Sequence, residues 1–139
     1  AATSNTNFAR TATTGDLKST NIGGSFDFGV ATVMALVTRD KVDATTTLTG
    51  KGALVGGLIP LGAGQIRLSY STYKTNAATT PKAKKISLGY VHNLSKRTAL
   101  YTTFARVTNS GGSAVALNGA VTAANARSTG YDFGIKHSF

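Results

Sequence analysis

The sequence predicts an all-β protein: an antiparallel transmembrane β-barrel, or a part of one. Three observations carry this reading. Runs of about ten residues alternate between apolar and polar side chains, the links between them are alternately tight and long, and no apolar stretch reaches the ~20 residues a membrane helix needs. The longest apolar run, Ala53 to Leu61, is interrupted by Gly56 and Gly57.

Seven strands follow in order. The first, Leu17 to Asp27, meets the tight link Phe28-Gly29, and the second spans Val30 to Arg39 with an ambiguous orientation. Asp40 to Thr45 is a polar link to the third strand, Thr46 to Pro60. Across the tight Leu61-Gly62-Ala63-Gly64 lies the fourth, Gln65 to Lys74, where Ile66, Leu68 and Tyr70 alternate with Arg67, Ser69 and Ser71. Thr75 to Ala83 is a longer polar link. The fifth strand, Lys84 to His92, repeats the pattern, with Ile86, Leu88 and Tyr90 against Lys85, Ser87 and Gly89. Asn93 to Arg97 is tight. The sixth strand, Thr98 to Thr108, has mixed parity, because Arg106 falls on the side of Leu100 and Phe104. Asn109 to Arg127, rich in Gly, Ala, Ser and Asn, links it to the last strand, Ser128 to Phe139, where Tyr131, Phe133, Ile135, His137 and Phe139 alternate with Asp132, Gly134, Lys136 and Ser138. Residues 1–16 read as an extracellular loop or an N-terminal remnant, and 17–139 as the barrel portion.

A soluble β-sandwich also alternates, but it turns its apolar faces inward and fills a core with large side chains. Here the second face is Ser, Thr, Gly, Lys and Arg, which suits a wall between lipid and water. Single-chain barrels use even strand numbers from about eight upward, and open edges in lipid would leave backbone N–H and C=O groups unpaired at several kcal/mol each. Either residues 1–16 hide an eighth strand, or strands of a longer chain complete the barrel.

Composition narrows the function classes. Lys and Arg number 15 against 5 acidic residues, all Asp, for a formal net charge of +10, so an anionic partner is expected. The absence of Cys removes disulfides and thiolate metal sites from this chain. His92 and His137 lie on separate strands without a nearby carboxylate, so no acid–base or nucleophile–base pair emerges, and an enzyme is not expected. Neither a cofactor nor a metal site is expected. Gly50-Lys51-Gly52 followed by Gly56 lacks the spacing and the helix of a phosphate-binding loop. The basic residues are scattered without an aromatic stacking platform, which argues against nucleic acid. Ala1-Ala2-Thr3-Ser4 carries no basic or apolar leader region, so the chain reads as mature protein or a fragment.

Four stretches resemble general porins of the β-proteobacterial type: Ser25-Phe26-Asp27-Phe28-Gly29-Val30-Ala31; Val55-Gly56-Gly57 through Pro60-Leu61-Gly62-Ala63-Gly64; Leu88-Gly89-Tyr90-Val91-His92-Asn93-Leu94-Ser95-Lys96-Arg97-Thr98; and Gly134-Ile135-Lys136-His137-Ser138-Phe139. The resemblance covers residues 17–139. It implies the C-terminal part of a sixteen-stranded barrel, strands ten to sixteen, in a homotrimer of the bacterial outer membrane. It also implies a water-filled channel for passive diffusion of small hydrophilic solutes, whose constriction would lie outside this sequence. Tyr131, Phe133, Ile135 and Phe139 match the family's signal to the outer-membrane barrel assembly machinery, while His137 departs from its purely apolar version.

On the parity of the strands, Lys51, Arg67, Lys85 and Lys136 face the lumen, opposed by Asp27 and Asp132, and this surplus biases the wall toward small anionic solutes. Lys82 and Lys84 are expected at the outer end of a strand, in reach of outer-membrane lipid and lipopolysaccharide phosphates. Two other readings compete. A closed eight-stranded barrel with a structural or adhesion role would be plugged by its own side chains, which the small inner residues disfavour. A soluble basic β-domain binding anionic polymers would dissolve without detergent.

Overall fold

All seven expected strands are present, and an eighth precedes them. The computed structural model describes residues 3–11, 15–43 and 47–139, with side chains for 18–43 and 47–139. One antiparallel sheet runs in sequence order through β1 (Thr3–Thr11), β2 (Gly15–Asp27), β3 (Thr32–Asp43), β4 (Leu48–Leu61), β5 (Gly64–Thr75), β6 (Lys82–Asn93), β7 (Thr98–Ser110) and β8 (Arg127–His137).

β1 corrects the reading of residues 1–16 as a loop. Thr3–Thr11 is mostly Thr, Ser and Asn and shows no apolar alternation, yet it pairs with β2 from Thr3 opposite Gly23 to Thr11 opposite Gly15. Backbone pairing needs no apolar face. At the other end β8 stops at His137, two residues short of the expected Phe139. Ser138 N donates to Arg97 O at 2.9 Å, and the Phe139 ring meets His137 edge-on at 4.9 Å.

Turn chemistry sorts the links to two ends. At one end, Gly62 supplies the positive φ of 57° that the two-residue β4–β5 hairpin turn requires. Beside it, Asp27 Oδ1 accepts from Gly29 N at 2.8 Å after β2, and Ser95 Oγ accepts from Thr98 N at 3.0 Å before β7. The longer β5–β6 and β7–β8 links lie at the opposite end, where Asn76 Oδ1 accepts from Thr49 N at 2.7 Å and ties the β5–β6 link to β4.

The sheet is a single layer. Among the described residues, Val107 is the one buried apolar side chain, at 2% exposure, while Tyr131 and Phe133 stand 83% and 78% exposed. A soluble domain cannot leave that much apolar surface in water, so the soluble reading does not fit. Nor does the closed eight-stranded reading, since β1 and β8 are the two edges of the sheet.

Close packing occurs instead within the sheet. Tyr73 on β5 lies across Gly50 and Gly52 of β4, covering space that any Cβ there would enter, and Tyr101 on β7 covers Gly134 of β8 in the same way. Such pairs restore to a glycine the cross-strand contact it lacks. Gly52→Val is therefore expected to displace the Thr38 methyl as well as the Tyr73 ring and destabilise the assembled protein by about 1–3 kcal/mol, read as a lower midpoint for loss of the folded band on gels of the unheated protein.

Candidate functional site

Side chains opposite one another in a ladder share a face, so the register assigns every strand residue to one of two surfaces. The first is polar. Arg67 of β5 pairs with Gly89 of β6, Gly89 with Thr103 of β7, and Thr103 with Asp132 of β8. In the other direction Arg67 pairs with Leu58, Leu58 with Thr32, and Thr32 with Asp27. Lys85 lies four residues before Gly89 on β6, and Lys136 four residues after Asp132 on β8, both on this face. At ~3.4 Å per residue, each stands about 14 Å from the Arg67 row along its strand. Arg67 and Lys136 border a common recess with Gln65, Gly89, Tyr101 and Thr103.

Five of the six residues expected on one wall thus share a face: Arg67, Lys85, Lys136, Asp27 and Asp132. Lys51 does not. It pairs with Arg39 and with Lys74, on the surface opposite Arg67. The reason lies in β4, whose two faces read Gly50, Gly52, Leu54, Gly56, Leu58 and Lys51, Ala53, Val55, Gly57, Ile59. Neither is clearly polar, so its own parity carries no signal and only its neighbours decide.

The polar face gains Asp40, which the expected end of the second strand at Arg39 had put in a link. β3 continues to Asp43, and Asp40 Oδ2 accepts from Tyr73 Oη at 2.8 Å while Oδ1 accepts from Ser19 Oγ at 2.6 Å. With Lys51 gone and Asp40 added, the strand residues of this face carry Arg67, Lys85 and Lys136 against Asp27, Asp40 and Asp132. The basic surplus of the chain is not on this face.

The β7–β8 link, residues 111–126, folds back over the polar face. Val115 to Asn118 border a cleft whose far side is Leu36, Leu54, Tyr73, Lys85 and Val107. Asn109, 4% exposed, anchors it. Its Nδ2 donates to Val115 O and Ala126 O at 2.8 and 2.9 Å, and its Oδ1 accepts from Ser113 Oγ and Val115 N at 2.9 and 3.0 Å. Val115, Leu117 and Val121 are the apolar residues larger than Ala in this link; the first two border the cleft, whereas Val121 is exposed, so the sequence alone does not single out the part that packs.

The second face is apolar through its middle. One row reads Phe26, Val33, Gly57, Leu68, Leu88, Phe104 and Tyr131 in successive strands. Leu100, Phe104 and Arg106 all lie here, which settles the parity of β7, as do Val33 and Val37 of β3. Tyr131, Phe133 and Ile135 belong to this face, and Phe139 lies beyond the ladder. Lys82 and Lys84 stand on it toward the long-link end of β6.

The comparisons agree with this geometry. A family model described as Gram-negative porin matches residues 1–112. The outer membrane porin protein 32 of Delftia acidovorans is 38% identical over 127 residues, covering 85% of this chain and 36% of that protein. The solved anion-selective porin from Comamonas acidovorans superposes with a TM-score of 0.82 at 35% identity, covering 89% of this chain and 40% of that one. The chain thus spans well under half the length of these relatives.

Proposed function

We propose, since this chain belongs to the Gram-negative porin family of the bacterial outer membrane, that its eight strands form part of the wall of a channel through which small hydrophilic solutes diffuse passively, anions preferentially. The observation that carries the proposal is the asymmetry of the sheet across β5 and β6: one surface of Ile66, Leu68, Tyr70, Ile86, Leu88 and Tyr90 fit for lipid, and an opposite surface of Arg67, Ser69, Ser71, Lys85, Ser87 and Gly89 fit for water. The apolar Leu36, Leu54 and Val107 on that second side border the cleft under the β7–β8 link. On this reading the polar face lines the lumen. No chemical step is needed, because a potential along the wall suffices to sort ions.

Anion preference finds its support in position rather than in net charge. Lys85, Arg67 and Lys136 mark successive heights along the wall, and the Arg67–Lys136 recess has no carboxylate among its bordering residues. Asp27 and Asp40 are tied to local donors near opposite strand ends. The likeness to a porin called anion-selective points the same way. The family resemblance further supports a homotrimer, and the exposed row of Tyr131, Phe133 and Ile135 supports recognition by the assembly machinery.

The test is the reversal potential of the protein, with its natural flanking sequence, in planar bilayers under a salt gradient. Arg67→Glu changes the wall by two charges. It is expected to shift the potential by about 1 kcal/mol, a roughly fivefold loss of anion over cation permeability, diminishing at high salt. An unchanged ratio would remove Arg67 from the lumen.

A further inference from the structure

The face that carries Arg67 is not polar throughout. Toward its long-link end, one ladder row reads Leu36, Leu54, Ser71, Lys85 and Val107 from β3 to β7. The next row contributes Thr38, Gly52 and the ring of Tyr73. Two leucines, a valine and an aromatic ring thus surround a single cation. The β7–β8 link roofs this patch with Val115 to Asn118, and the space between roof and sheet measures about 500 Å³. Cavities of about 300–1,000 Å³, mostly apolar with a few placed polar groups, are the ones that hold small molecules.

The roof does not close on the floor. Leu36, Tyr73 and Val115 remain exposed although all three border the cleft, so an apolar body entering it takes their surface out of water. Lys85 is the one charged side chain on the border, and no carboxylate stands beside it there. Ser71, directly opposite Lys85 on β5, adds a hydroxyl next to the ammonium. Tyr73 Oη donates to Asp40 Oδ2 at 2.8 Å, so Tyr73 offers the cleft its ring rather than a free donor. Asp40 stands one row beyond Thr38 on β3 and repels a second anionic group at that side. From Lys85 to Leu54 is two strand spacings, about 10 Å, which sets the length of what fits between them.

We infer that this cleft is a binding site for organic monoanions with a compact apolar body, such as an aryl carboxylate. The carboxylate is held by Lys85 and Ser71, and the body lies against Leu54 and Leu36 beneath Leu117. The inference rests on the channel-wall reading, since this face must be open to water, and deepens it by naming which anions are retained on the way. An inorganic anion gains the charge contact alone and leaves the apolar border wet. A neutral hydrocarbon gains the border and nothing from Lys85. Retention therefore needs both halves of the ligand.

The experiment uses the protein with its natural flanking sequence in lipid nanodiscs. Equilibrium dialysis measures radiolabelled naphthalene-2-carboxylate, with empty nanodiscs as the blank. The wild type is expected to retain the probe saturably. Lys85→Gln is expected to weaken retention by about tenfold or more, and Leu54→Ala by about fivefold. Lys85→Arg, which keeps the charge, is expected to retain the probe and so guards against a misfolded Gln variant. Naphthalene-2-carboxamide, the body without the charge, and acetate, the charge without the body, are both expected to compete poorly. Equal retention by Lys85→Gln and wild type, or displacement by equimolar acetate, would overturn the inference. So would absence of saturable retention in the wild type, the result expected if a segment of the longer chain fills the cleft. Retention needs no conductance, so the two proposals fail separately. A conducting protein without saturable retention defeats this inference and leaves the porin reading intact, and retention without conductance does the reverse.

Discussion

Leu68→Arg destabilises the assembled protein by about 2–4 kcal/mol, while Ser69→Arg, one residue away, does so by less than about 1 kcal/mol. Leu68 occupies the middle of a row that is apolar or glycine in every strand from Phe26 to Tyr131. A guanidinium there has no partner and must either drag water into the hydrocarbon or pull the strand toward the headgroups. Ser69 pairs with Gly56 and Ser87 on the polar face, where an added cation remains solvated and only changes the potential. Urea unfolding in lipid bilayers measures both. Equal costs at the two positions would mean that both faces meet the same surroundings, as in a sandwich.

The second large effect is at Asn109. Its carboxamide makes four hydrogen bonds to the β7–β8 link, all within 3.0 Å, from a nearly buried position. Asn109→Ala removes them together and strands the Val115 carbonyl and N–H and the Ser113 hydroxyl, while Ala126 O keeps the backbone N–H of residue 109 at 3.2 Å. Each lost bond costs about 1 kcal/mol, so the link opens locally at a cost of about 2–4 kcal/mol while the ladder beneath it stays paired. Amide exchange at Val115 is expected to accelerate by about thirtyfold or more, with β6 and β7 amides unaffected. On the proposed channel-wall reading, the freed link no longer covers Lys85 and Val107, and single-channel current is expected to become larger and noisier. Slow exchange at Val115 in the variant would show that the apolar contacts of Leu117 and Val115 hold the link without Asn109.

The legibility of this molecule in its sequence follows from how each strand uses its two faces. β5 and β6 alternate cleanly because one side meets apolar surroundings and the other polar ones, and their bounds and faces could be read directly from Ile66 to Tyr70 and from Ile86 to Tyr90. β4 could be placed but not oriented, since Gly50, Gly52 and Gly56 yield space to Tyr73 and Met34 and so erase the contrast between its sides. Lys51 was misassigned for that reason. β1 stood only as an alternative reading of residues 1–16, because Thr3–Thr11 is mostly hydroxyl and amide residues and carries no apolar alternation. Asp40 and Asn109 were invisible as anchors, because their partners Tyr73 and Val115 are brought to them only by register and by the fold of a long link.

If one sheet separates two media, accessibility must alternate along a single strand. This chain has no cysteine to interfere, so single Cys substitutions from Gln65 to Ser71 on β5 can be reacted in the intact outer membrane with a charged, membrane-impermeant thiol reagent. A period of two is expected: reaction at Gln65, Arg67, Ser69 and Ser71, and protection at Ile66, Leu68 and Tyr70, which should instead be quenched by a lipid-soluble probe when labelled. Uniform reaction at all seven positions, or a pattern shifted by one residue, would contradict it.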